Sequence, residues 1–153
     1  MATEIKIEGI EEASRKLRSL SDVKTAKSIA RKAARKAMNK VRDRARQNAQ
    51  AIDDPETAAR IYKNIATYAG RMTGNAIKMR VGVRGGASSN QYSKDISGLS
   101  GGNTRHWRFI ELGTKFDTPV PFMRPAFYPY LEEIGTDFCN EFSANVTALV
   151  NSK

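Results

Sequence analysis

Residues 105–126 read RHWRFIELGTKFDTPVPFMRPA, and the fold turns on how this stretch is parsed. It holds the only Trp, three of the six Phe and three of the five Pro. Trp107, Phe109, Ile110 and Leu112 supply apolar bulk, with Glu111 the one acid among them. Gly113-Thr114 interrupts the run, because Gly reaches backbone angles that other residues avoid. Pro119 and Pro121 hold the chain extended and restrict the residues before them. Pro125 suits the first position of a helix, where its missing N–H leaves nothing unpaired. The stretch therefore parses as an apolar element, a sharp turn, an extended arm and a helix start. A carboxylate inside an apolar run costs free energy unless it is paired. Arg124, or Arg108 if the run is helical, is the candidate partner for Glu111.

Working outward toward the C-terminus, the helix opened near Pro125 is irregular at Pro129 and runs to about Val150. Leu131, Ile134, Phe138, Phe142, Val146 and Leu149 recur at helical spacing and are expected to form its buried stripe. Toward the N-terminus, residues 84–104 are rich in Gly, Ser and Asn, and a loop of about 20 residues is uncommon inside a compact domain. It is expected to be a flexible excursion that orders against a neighbour. Before it, residues 76–83 alternate Ile77, Met79, Val81 and Val83 with Lys78, Arg80 and Gly82, the clearest strand signal in the chain. A turn over Gly70–Gly74 and an extended segment near Asn64–Tyr68 precede it. Asp53-Asp54-Pro55-Glu56 combines an acidic cap with a Pro and predicts a short helix to about Tyr62. Residues 4–8 suggest a short strand, and Ile10, Ala13, Leu17 and Leu20 a short helix.

The longest predicted element runs from Asp22 to Gln50. Val23, Ala26, Ala30, Ala33, Ala37, Val41 and Ala45 form a narrow stripe, mostly alanine. Alanine permits close approach but buries little area, so such a stripe holds weakly unless several elements share it. The other faces carry Lys24, Lys27, Arg31, Lys32, Arg35, Lys36, Lys40, Arg42, Arg44 and Arg46. Against them within the segment stand only Asp22 and Asp43, so net +8 of the chain's +10 resides here. A solvated face, a protein-facing electrostatic surface and a nucleic-acid contact are all compatible with such a run. The acids Glu132, Glu133, Asp137 and Glu141, with Glu4, Glu8, Glu11 and Glu12, are its candidate counterparts.

At 153 residues the chain is expected to be a single domain, 1–153, with the loop at 84–104. Its fold class is α+β: a small antiparallel sheet of about four short strands packed by the long basic helix and the C-terminal helix. No apolar run is long enough to span a membrane, and the charged N-terminus lacks the apolar core of a secretory signal. One Cys, Cys139, allows no intramolecular disulfide and reads as a small apolar residue on a helix face. One His and one Cys leave no zinc set. His106 has no nucleophile or orienting carboxylate at informative spacing, and the Gly pairs 85–86 and 101–102 lack phosphate-loop spacing. No enzyme, cofactor or metal site is expected.

Phe109-Ile110-Glu111-Leu112-Gly113-Thr114 followed by Pro121-Phe122-Met123-Arg124-Pro125-Ala126 resembles the double signature of a phage family. These are the tail-component proteins (tail-completion or head–tail connector, gene-product-ten-like) of long-tailed double-stranded DNA phages. Leu112 stands where that family usually has Phe. The opening Ile5-Lys6-Ile7-Glu8-Gly9-Ile10 is also similar to the family's start. The resemblance marks Trp107, Phe109, Glu111, Gly113, Thr114, Pro121, Phe122, Arg124 and Pro125 as residues that shape the fold and a subunit contact.

The resemblance implies a structural virion protein of the neck or upper tail, made in the host cytoplasm. It would assemble as a homo-oligomeric ring, commonly six-fold, beside other neck and tail proteins. DNA would pass through the channel without sequence-specific binding. The alternative is a basic nucleic-acid-binding protein that uses the 24–46 helix, although no helix-turn-helix, zinc or aromatic-platform motif accompanies it.

Overall fold

The computed structural model describes residues 18, 22–70, 74, 76–85 and 97–152. The expected strand at 4–8, the short helix after it and residues 86–96 of the long loop lie outside the described residues. Helix α1 spans Val23–Ile52, about 45 Å at 1.5 Å per residue. It begins where Asp22 accepts a hydrogen bond from the Lys24 N–H at 3.1 Å, a side-chain N-cap. Its buried residues, Ala30, Ala33, Ala37, Val41, Ala45 and Ala49, follow the predicted stripe. Val23, at the open end, is exposed instead.

A four-residue helix, α2 (Ile61–Asn64), leads straight into strand β1 (Ile65–Ala69). β1 pairs antiparallel with β2 (Met79–Val83), Ile65 opposite Val83 and Thr67 opposite Val81. Side chains alternate across a strand, so Ile65 and Val83 share the face that joins the core of Ala45, Ala49, Ile61, Phe122 and Ala126. The guanidinium of Arg46 donates to the Ile65 carbonyl through Nε at 3.0 Å and Nη2 at 2.7 Å, fixing the sheet to α1.

After the loop come α3 (Trp107–Leu112), the arm, α4 (Arg124–Phe127), a 3-10 turn (Tyr128–Tyr130) and α5 (Leu131–Asn151). The expected break at Pro129 is this 3-10 turn, and α5 runs back along α1. The fold class is α+β, as the sequence indicates.

Several boundaries differ from expectation. Among the described residues the sheet has two strands rather than about four. No helix starts at Pro55; residues 53–60 form turns, and α2 begins only at Ile61. Asp53 still caps it from eight residues away, accepting from the Ile61 N–H at 3.0 Å and the Tyr62 N–H at 3.3 Å. Pro125 is the second residue of α4 rather than the first. None of the stripe Leu131, Ile134, Phe138, Phe142, Val146 and Leu149 is fully buried, and Leu131 is 49% exposed. Among the described elements α5 packs mainly on α1. Cys139 is exposed on α5.

Candidate functional site

The two halves of the double motif meet through Glu111. Its side chain is 4% exposed, and Oε2 accepts from the N–H groups of Phe122 at 2.7 Å and Met123 at 2.9 Å. Oε1 accepts from the Arg124 N–H at 3.0 Å, with Arg124 Nε 3.6 Å away. The first N–H groups of a helix have no partner within it and carry partial positive charge. Glu111 therefore caps α4 from the preceding helix, thirteen residues upstream of Arg124. This is the chemistry that makes an acid in an apolar run tolerable.

The turn that permits this begins at Gly113, φ +75°, whose N–H donates to the Phe109 carbonyl at 2.8 Å. A Cβ there would stand 2.8 Å from Pro119 Cδ and 3.0 Å from the Asp117 carbonyl. The Thr114 hydroxyl accepts from the Phe116 N–H at 3.1 Å and the Asp117 N–H at 3.0 Å. It also donates to Asp117 Oδ2 at 3.0 Å. The Val120 N–H then returns to the Ile110 carbonyl at 2.8 Å, so the arm doubles back along α3. Phe122 enters the core at 0% exposure, the largest fully buried side chain, and its carbonyl accepts from Asn48 Nδ2 at 3.1 Å. Trp107 is partly buried against the same core. Pro121 and Pro125 stay on the surface, as does His106 at the head of α3.

A second hub is one that motif reading does not find. Asn64, 2% exposed, donates to the Gly102 carbonyl at 2.9 Å and to Thr104 Oγ1 at 2.7 Å. Its Oδ1 accepts from the Gly101 N–H at 2.9 Å, and Gly101 in turn accepts from the Arg60 N–H at 2.7 Å. Residues 97–104 are thereby anchored to α2. A Cβ on Gly101 would fall 2.0 Å from the Arg60 carbonyl oxygen, so only Gly fits.

The ten cations of α1 divide into groups. Lys36 pairs with Glu141, Lys40 with Asp137 at 2.6 Å and Arg44 with Glu133 at 2.6 Å, an antiparallel ladder along α5. Arg44 also lies 3.6 Å from the centre of the Tyr130 ring. Arg42 turns to Asp43 and Asn39, Arg46 to the sheet and Lys27 to the Gly74 carbonyl. Among the described residues the side chains of Lys24, Arg31, Lys32 and Arg35 have no hydrogen-bond or ion-pair partner and are exposed. The cause lies in the sequence of α5, which carries no acid beyond Glu141.

Two apolar surfaces remain. Phe109 and Leu112 are each 61% exposed on one side of α3, and Phe116 at the tip of the turn is 89% exposed. Elsewhere, α1, β2 and α4 enclose a half-open groove of about 370 Å³, lined by Met38, Met79, Met123, Phe127 and Tyr128 with Arg80 and Arg124. No helix among the described residues is long and apolar enough to cross a membrane.

The most distinctive residues of this chain hold backbone in place, while charge and apolar area are left at its surface. The family model described as "Bacteriophage HK97-gp10, putative tail-component" matches residues 11–113, and the chain belongs to this family of phage tail components. No curated protein and no solved structure matched.

Proposed function

We propose that the chain is a subunit of the neck or upper tail. It assembles as a homo-oligomeric ring around the DNA channel and completes the tail or joins it to the head. The observation that carries this reading is the uneven use of α1. The half bearing Lys36, Lys40 and Arg44 is neutralised from within the subunit, whereas Lys24, Arg31, Lys32 and Arg35 have no partner among the described residues. Helix α5 beside them buries none of its residues. A surface that is both cationic and half apolar suits a protein neighbour, because phosphate backbone rewards only the charge. Membership of a tail-component family points the same way.

The test is the solution mass of the purified chain, alone and mixed with the other neck and tail proteins of its phage. A closed multimer in either condition supports the ring. A strict monomer in both, with tight duplex binding that falls steeply with salt, supports instead the nucleic-acid reading of the same cations.

A further inference from the structure

Phe116 is the most exposed large apolar residue of the described chain, at 89%, yet it sits in a hydrogen-bonded turn. The Thr114 hydroxyl and N–H, the Asp117 carboxylate and carbonyl, and Gly113 at φ +75° together fix the turn that carries it. A rigid turn that displays an aromatic ring to solvent has already lost the entropy that binding would otherwise cost. The groove between α1, β2 and α4 has the opposite character: it is concave, and three methionines give it an adaptable apolar wall. Its volume of about 370 Å³ is ample for a phenyl ring, since a cavity of about 150 Å³ takes benzene. Phe116 is not among the residues lining the groove of its own chain.

We infer that Phe116 of one copy is a knob that fills the methionine-lined groove of a second copy, with Asp117 facing Arg80 and Arg124. The inference rests on the ring reading above and names the contact that builds it. Arg80 in the groove has no acidic partner among the described residues. Asp117, which follows the knob and accepts from the Thr114 hydroxyl within the turn, is the acid brought to it. Lys115 lies on the knob's other side, and Arg124 already faces Glu111. Phe109 and Leu112, beside the turn, would extend the buried area around the knob. Knob and groove are different patches, so the contact is head-to-tail. Each copy carries one of each, which is the arrangement that closes into a ring when the rotation permits.

The experiment uses two full-length variants, each altered where exposure makes misfolding no obstacle. Phe116→Ala removes the knob, and Tyr128→Asp, at a groove residue 63% exposed, spoils the wall and repels Asp117. Masses are measured in solution over a concentration series, with helical content checked by circular dichroism. Each variant alone should need at least about tenfold more protein than wild type to assemble, as truncating an anchor residue does. A one-to-one mixture should give a dimer and nothing larger, because one intact knob then meets one intact groove. Assembly of Phe116→Ala at wild-type concentrations overturns this contact and leaves the ring intact. A mixture of the two that remains monomeric also overturns it, pointing to a different tail protein as the occupant. A wild-type chain that stays monomeric, with or without the other tail proteins, overturns the ring reading as well.

Discussion

Glu111 shows what a single residue can settle. Three N–H groups converge on one buried carboxylate, and no other described acid reaches them. Removing it strands the donors of Phe122, Met123 and Arg124, and each buried unsatisfied group costs about 1–3 kcal/mol. Some of that is recovered as water enters near Arg124. Glu111→Ala should therefore lose about 3 kcal/mol of stability, measured by denaturant unfolding. Glu111→Gln keeps one accepting oxygen and should lose less, about 1–2 kcal/mol. A change under about 0.5 kcal/mol in both would mean the cap is dispensable. The need for a partner was legible in the sequence, since a lone acid among Trp107, Phe109 and Ile110 demands one. Asn64 was not legible. Its partners lie 37 to 40 residues away in a Gly-rich loop, and nothing in the local pattern marks an Asn that will be buried.

Among elements, the contrast is between α1 and α5. Both were readable as helices from their 3.6-residue period, and the interruption at Pro129 from proline chemistry. Periodicity tells which residues share a face; it does not tell how completely that face is covered. Leu131, Ile134, Phe138, Phe142, Val146 and Leu149 recur at helical spacing, yet none of them is fully buried. The ion pairs from Lys36, Lys40 and Arg44 hold the two helices in register, and partly exposed pairs contribute only about 0–1 kcal/mol each. Amides of α5 in the isolated subunit should accordingly exchange with solvent well before those of residues 30–49 in α1. Replacing Glu133, Asp137 and Glu141 together by Ala should widen that difference and cost about 1–2 kcal/mol. Equal protection of the two helices would show that α5 is held by more than this ladder.

For the whole molecule, the excess charge has a location. Arg31, Lys32 and Arg35 lie beyond the reach of α5's acids and are exposed, so changing them breaks no bond among the described residues. Arg42, by contrast, is engaged with Asp43 and Asn39 and is better left alone. The triple variant Arg31→Glu, Lys32→Glu, Arg35→Glu should fold with unchanged helical content yet fail to join heads to tails in an extract complementation assay. Because exposed charges are screened over about 8 Å at physiological salt, wild-type joining should itself weaken as ionic strength rises. A triple variant that still yields infectious particles but no longer retains duplex DNA would move these residues from assembly to nucleic-acid contact.

Phe122 has a consequence for how such a chain comes into being. The core position it occupies against Ala45 and Ala49 is set by residues synthesised far earlier; its carbonyl meets Asn48 across 74 positions of chain. Ile61 and Ile65 follow α1 closely and can cover part of its alanine stripe at that end, whereas Phe122 and Ala126 come much later. Glu111 likewise waits for residues 122–124 before its charge is answered. The interior therefore closes only once residues 122–124 have been made, and closing so long a loop slows folding more than it weakens the product. Completion of the arm is thus the step that closes the core and answers Glu111.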